Sequence, residues 1–197
     1  MTHSCAALDT PIGRLWLVAS RAGLAEVLRG ELPPAGAEVD EDACAPVVAE
    51  LAEYFAGTRR ELRVPLDLAR VSPFDAEVYA AARTIPYGAT VSYGELAIMA
   101  GRPGAARAVG GAMARCPFSP VVPCHRVIHA DGSIGGWGAE TWVKRWLLEL
   151  EGWRPHGYGN GSNPPHSRPA SVRREARVSR QANGSQPSVD EGPASSA

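Results

Sequence analysis

The run S-Y-G-E-L-A-I-M-A-G-R-P-G-A-A-R-A-V-G-G-A-M-A-R, Ser92 to Arg115, decides how the chain is read. Ser92 and Glu95 have the spacing of a capping box, each side chain satisfying the other residue's free backbone N–H. A short helix therefore starts there and runs to about Ala100. Gly101 to Gly104, G-R-P-G, makes a turn. A second helix spans Ala105 to Arg115, and Pro117 blocks its continuation. Two short helices around a Gly-containing turn resemble a helix-turn-helix, although many such pairs only pack. The second helix is built almost wholly from small residues. Gly110 and Gly111 each cost about 1 kcal/mol of helix stability against Ala. Close approach to another surface, a helix or a nucleic-acid groove, would account for them. Arg107 is the one long charge in its first two turns.

Working outward, Ser72-Pro73-Phe74-Asp75 predicts an earlier helix: Ser72 as N-cap, Pro73 at the first helical position, and Asp75 near the positive end. Ile85 to Gly88, I-P-Y-G, closes it. Upstream, Arg14–Ala19 and Leu24–Arg29 are strand candidates joined by the turn S-R-A-G. Pro34 to Asp42 reads as a loop. Pro46 suits the first turn of a helix whose face carries Val47, Leu51, Tyr54 and Phe55 and which stops at Gly57. Leu62–Leu68 is a weaker strand, interrupted by Pro65. Downstream, Trp142, Trp146 and Leu150 repeat every four residues, which predicts a helix over Thr141–Leu150 ended by Gly152. Beyond it Gly, Ser, Asn, Pro and Arg dominate, and a disordered tail is expected over 155–197. Its five arginines between Arg168 and Arg180 could touch phosphates.

The 197 residues carry a formal net charge of −1, so any nucleic-acid site must be a local patch. No apolar run is long enough for a membrane span. The first residues lack the features of a secretory signal. The four cysteines form no C-x-x-C pair, and a reduced cytoplasmic thiol protein is expected.

The second informative stretch is V-V-P-C-H-R-V-I, Val121 to Ile128. A cysteine in an apolar run is usually a small buried hydrophobe. Three chemistries compete with that reading. A zinc deaminase needs P-C-x-x-C, and Val127 stands where the second cysteine belongs. Cys116, Cys124 and His125 have no familiar ligand spacing either. A cysteine hydrolase needs a histidine against the thiol, but neighbours on an extended segment point apart, so Cys124 and His125 would need a special turn or a bridging water. Direct thiolate attack on an alkyl group needs a polarised thiol and a pocket. His125, with Glu151 behind it, could take the proton.

Four motifs occur in order: I-P-Y-G-x-x-x-S-Y-G-E-L-A, G-R-P-x-A-A-R-A-V-G-x-A-M, V-V-P-C-H-R-V-I and K-x-W-L-L-x-x-E-G. Over about Pro73 to Gly152 the chain closely resembles the methylated-DNA–protein-cysteine methyltransferases, the O6-alkylguanine-DNA alkyltransferases. The hairpin T-P-I-G-R-L-W-L resembles the start of their N-terminal domain more loosely. The resemblance implies an α/β, ribonuclease H-like domain over 1–71. It implies a mostly α, winged-helix-like domain with the helix-turn-helix over 72–154.

It also implies residue roles. Cys124 would be the nucleophile, His125 its water-linked base and Glu151 the supporting carboxylate. Tyr93 would help turn out the nucleotide. The small-residue helix would enter the minor groove through Ala105, Ala106, Gly110 and Arg115, with Arg107 as the arginine finger. Met113, Val127 and the loop Ile134 to Ala139, including Trp137 and Gly138, would line the pocket. The implied activity is a single irreversible transfer of an alkyl group from O6-alkylguanine, and from O4-alkylthymine, in double-stranded DNA to the protein's own thiol. The implied state is a monomer in the cytoplasm, without cofactor, metal or membrane partner.

This sequence departs from the family pattern at Cys116, where relatives carry Asn eight positions before the nucleophile, and in the pocket loop Gly136-Trp137-Gly138-Ala139-Glu140. The first departure is expected to alter rate or coupling, the second the tolerance for bulky groups. A lesion-binding protein without catalysis and a DNA-binding regulator are the competing readings.

Overall fold

The structure is a computed structural model; it describes residues 3–135, 137 and 140–154. The expected tail lies outside the described residues, as does Gly138. Two domains are built, strands first and helices second.

The N-terminal domain is a four-stranded sheet in the order β3-β2-β1-β4, backed by a helix. Strands β1 (His3–Thr10), β2 (Gly13–Ser20) and β3 (Gly23–Arg29) form an antiparallel meander, and β4 (Ala37–Val39) pairs parallel with β1. The hairpin expected between β2 and β3 is present. Strand β1 was not anticipated, because H-S-C-A-A-L-D-T has only Thr10 of the β-branched and aromatic residues that mark strands; pairing with β2 over Gly13–Ala19 overrides that weak local preference.

Three expectations need correction here. The Pro34–Asp42 segment is not all loop, since it holds β4 and the start of the next helix. That helix, α1 (Glu41–Phe55), begins five residues before Pro46, because the Asp40 side chain caps it by accepting from the Ala43 N–H. Pro46 falls in the second turn on the exposed face, where a missing intrahelical bond leaves the displaced carbonyl to water. The buried stripe is the one predicted: Val47, Leu51, Tyr54 and Phe55. Leu62–Leu68 forms no strand. A single bridge joins Leu66 to Leu24, with Leu24 N–H donating to the Pro65 carbonyl, because proline cannot donate in a ladder.

The C-terminal domain contains α2 (Pro73–Ala82), β5 (Val91–Ser92), α3 (Tyr93–Met99), α4 (Ala106–Ala114), β6 (Val127–Ile128) and α5 (Thr141–Leu150). Ser72 caps α2 by accepting from Asp75 N–H, and Ser92 with Glu95 forms the full capping box at α3. Both helix starts were written in local chemistry. The pair β5–β6 is parallel and only two residues long.

One apolar core runs through both domains, from Leu17, Leu24, Leu51 and Tyr54 to Val78, Leu96, Val109, Phe118 and Leu147. Edge strand β3 is met by the chain leaving α4: Val27 N–H donates to the Pro117 carbonyl at 2.7 Å. Among the described residues no helix is long and apolar enough to cross a membrane.

Candidate active site

Residues Cys124–Arg126 form a single 3₁₀ turn between Pro123 and β6. This is the special turn that an extended reading of V-V-P-C-H-R-V-I lacked. It sends three consecutive side chains into the interior. Cys124, His125 and Arg126 are all buried. The Cys124 thiol donates to the Val122 carbonyl at 3.3 Å. The Cys116 thiol lies near enough to act on it electrostatically. Cys116 and burial together push the Cys124 thiol well above the ordinary cysteine range, because two thiols this close cannot both ionise and a buried anion is poorly solvated. A second thiol therefore stands near the first. It sits just past α4, in the place of the expected asparagine.

Behind Cys124 lies a carboxylate loaded with donors. Glu151 follows the last turn of α5, its N–H donating to the Leu147 carbonyl. Its Oε1 accepts from Tyr54 Oη at 2.7 Å, Arg126 Nη2 at 2.8 Å and His125 Nε2 at 2.9 Å. Its Oε2 accepts from Arg126 Nε at 2.8 Å and Gly88 N–H at 3.0 Å. Gly88 takes a positive φ of 75°, and a Cβ there would stand 2.8 Å from the Glu151 carbonyl oxygen. I-P-Y-G is thus the clasp around the end of α5, with Tyr87 Oη also donating to the Leu150 carbonyl. Burial alone would raise the Glu151 carboxyl; the His125 and Arg126 contacts outweigh it and hold the group well below the usual carboxylate range.

The same burial lowers His125, against the pull of Glu151, so the imidazole is neutral. Since Nε2 faces an ionised carboxylate, Nε2 carries the proton. Nδ1 is then a bare lone pair, buried and without a hydrogen-bond partner among the described residues. A neutral imidazole aimed this way is a base.

Lys144 on α5 is fully buried, and its Nζ donates to the Val127 carbonyl at 2.7 Å. Desolvation brings it down to about 8, partly offset by the charge of Cys124. The same cation favours a thiolate at Cys124. Its Nζ also lies 5.8 Å from the centre of the Tyr93 ring. Tyr93, the first residue of α3, packs near Gly110 of α4 and against His129.

The outer face of α4 carries Arg107, Ala108, Ala114 and Arg115, all exposed. Added methyl groups would find ordinary contact at Gly110, 3.9 Å from the Tyr93 ring, and only the flexible Arg115 tip at Gly111. Packing within the chain does not require these glycines. Arg115 forms a two-pronged pair with Asp75, at 2.7 and 3.3 Å. Ala105 is the N-cap of α4 and Ala106 its first residue, both half-buried.

Of the expected pocket, Met113 and Trp137 line a cavity of about 510 Å³ with Cys116, Val143 and, from the N-terminal domain, Leu15 and Val27. Val127 and Ile134 do not line that cavity. Among the described residues no cluster of three or more His, Cys, Asp or Glu is placed to hold a metal.

The ribonuclease-like domain of 6-O-methylguanine DNA methyltransferase matches residues 4–68, and the DNA binding domain of the same family matches residues 73–153. The chain belongs to the 6-O-methylguanine DNA methyltransferase family. Within that family it is 44% identical over 146 residues to a DNA base-flipping protein of Thermus thermophilus, covering 74% of this chain and 97% of that protein. It is 44% identical over 159 residues to the methylated-DNA–protein-cysteine methyltransferase of Mycobacterium leprae, covering 77% and 93%. The crystal structure of Mycobacterium tuberculosis OGT in complex with DNA superposes with a TM-score of 0.69 at 42% identity, over 76% of this chain and 93% of that one.

Tyr54, Arg126 and Lys144 escaped the sequence reading of this methyltransferase-family chain. Arg126 had a signal, a permanent charge inside an apolar run. Lys144 opens the K-x-W-L-L motif but sits on a helix where a lysine normally faces water. Tyr54 had only its place on a buried stripe.

Proposed function

We propose that this protein repairs alkylated DNA by moving the alkyl group of O6-alkylguanine, and of O4-alkylthymine, onto Cys124 once and irreversibly. The observation that carries this reading is the buried 3₁₀ turn, which holds in succession a thiol and a neutral histidine whose Nε2 is held by an ionised glutamate. The Cys124 proton passes through one water to His125 Nδ1, and Glu151 stabilises the imidazolium that forms. The sulfur attacks the alkyl carbon, the carbon–O6 bond breaks, and its electron pair leaves with guanine as Tyr93 supplies a proton. Lys144 stabilises the thiolate at short range, in a site where water does not screen it. A thioether remains, and no group in the site can break it.

The base must leave the stack to reach a thiol this deep, at a cost of a few kcal/mol. The exposed small residues of α4 suit close approach to a minor groove, and Arg107 suits insertion into the space vacated by the base. The partner is double-stranded DNA bearing the lesion, bound by a monomer. Ala105, Ala106 and Gly110 form the close-contact surface, and Arg115 reaches a phosphate by leaving Asp75. Met113 and Trp137, which line the 510 Å³ cavity, shape the alkyl pocket.

The division at 71/72 is supported by Ser72, which starts the first helix of the second domain. Three antiparallel strands with a fourth parallel to the first support a ribonuclease H-like reading of the first domain. The β5–β6 pair beside α3 and α4 supports a winged-helix-like reading of the second.

The deciding experiment is intact-protein mass measurement after incubation with an O6-methylguanine duplex. A gain of one methyl, mapped to Cys124 and missing from Cys124→Ala, is expected. Tight binding with unchanged mass would identify a lesion binder, and binding indifferent to the lesion a regulator; either result sinks the proposal.

A further inference from the structure

Tyr54 is a residue of the first domain whose hydroxyl sits inside the reactive centre of the second. It is separated from Glu151 by 97 positions, yet donates to Glu151 Oε1 at 2.7 Å and lies 3.4 Å from His125 Nε2. Its side chain has no solvent exposure. The ring is fixed edge-on by Phe55, at 5.5 Å, and by Tyr87, at 6.2 Å. Tyr87 is itself anchored to the Leu150 carbonyl. The hydroxyl therefore has one orientation, with its proton on the carboxylate and its lone pairs toward the imidazole.

Accordingly, we propose that Tyr54 is a positioning residue for alkyl transfer, through which the N-terminal domain fixes the Glu151 oxygen that orients and polarises His125. The proposal rests on the reading of Cys124 as alkyl acceptor. Arg126 and Gly88 N–H hold Glu151 from within the C-terminal domain, but their bonds are shared between both oxygens. Tyr54 adds the third donor to the one oxygen that His125 uses. It does two things at once. It fixes the direction of the Nε2–H bond, and so the aim of Nδ1. It also withdraws charge from Glu151, which makes the carboxylate a weaker partner for an imidazolium and keeps His125 neutral. Burial pushes the Tyr54 phenol far up, so it stays a donor throughout the accessible pH range. The charged and titratable groups acting on His125 are Glu151 and Lys144 from the α5 segment, Arg126 from the turn, and Tyr54 from α1.

The test is Tyr54→Phe, which removes one oxygen and keeps the ring. Loss of a hydrogen bond to a charged group predicts about a tenfold fall in the single-turnover rate constant. Affinity for the lesion duplex should not change. With Glu151 less neutralised, His125 holds a proton more tightly, so the acid limb of the rate–pH profile moves to higher pH. The His125 ring nitrogens, followed by nitrogen NMR, should titrate at the same higher pH in the DNA-free protein. Val47→Ala, two turns away on the same buried stripe of α1, is the packing control and should leave the acid limb in place. Unchanged rate and acid limb in Tyr54→Phe would overturn the proposal alone, as would an equal shift in Val47→Ala. A wild-type protein that takes up no methyl would overturn the alkyl-transfer reading as well.

Discussion

The cluster behind Cys124 and the outer face of α4 are opposite solutions to placing polar groups. In the cluster, five donor contacts converge on the two oxygens of Glu151, and every charge is buried. On α4, Arg107 stands exposed among small residues that the chain's own packing does not need. The first region is complete without a partner. The second is shaped for one. Chemistry that must be aimed within tenths of an ångström is built from bonds made at folding, whereas recognition is left to bonds made on encounter. Changes in the cluster should therefore damage stability and chemistry together. Changes on α4 should spare stability.

The largest expected effect is at Glu151. Glu151→Gln leaves the Arg126 guanidinium buried without its counter-charge, which costs about 3–5 kcal/mol in chemical denaturation. The sign with pH follows from the lowered carboxyl: its stabilisation is present above the ordinary glutamate value of 4.5 and is lost as pH falls toward the lower folded value. The acid-side decline in wild-type stability should accordingly flatten in Glu151→Gln. If that variant unfolds at the wild-type denaturant concentration, the cluster is not the rigid half of the comparison.

Next comes Arg107. Arg107→Ala should leave the unfolding free energy within about 0.5 kcal/mol. It should slow methyl transfer from duplex DNA about tenfold, since base flipping costs a few kcal/mol that Arg107 helps to offset. Transfer from the free O6-methylguanine base, which needs no flipping, should be unaffected. A matching slowdown with the free base would place Arg107 in the chemistry and break the distinction between the regions.

Cys116 joins the two regions, since it follows α4 and raises the Cys124 thiol. Cys116→Asn removes the neighbour that pushes the Cys124 thiol up, so transfer near neutral pH should quicken and its pH profile move to lower pH. The gain should be about two- to fivefold, because a thiolate loses intrinsic nucleophilicity as its pKa falls. A slower variant would mean that Cys116 helps as a donor to the sulfur.

The smallest effect concerns Lys144. Its folded value of about 8 lies below the ordinary 10.5, so the unfolded chain binds more protons between those values. Stability should rise as pH increases through that window, and Lys144→Met should abolish the rise. A decline over the same window in the wild type alone would reverse the assignment.

Legibility in the sequence followed the range of the interaction. The helix starts at Ser72 and Ser92 were correct because a cap is made by residues three apart. The start of α1 was misread because Pro46 is permitted at a first turn, and the Asp40 cap was overlooked beside it. Strands β1 and β4 were missed because their pairing, rather than their composition, makes them strands. Cys124, His125 and Glu151 were named from motifs, but the turn that joins the first two was not visible in an apolar run.

The sequence by itself determined the order of the helices from α2 onward, the pair of short helices around a glycine turn and the buried face of α1, all of which are set by caps, periodicity and short motifs. Only the tertiary structure decided that Tyr54 reaches Glu151, that Arg126 and not solvent neutralises that carboxylate, that Lys144 is buried, and that Cys116 stands against Cys124. These contacts join segments up to 97 residues apart. They form because one shared core brings both domains together, and the burial that excludes water also forces each polar group to find its partner within it.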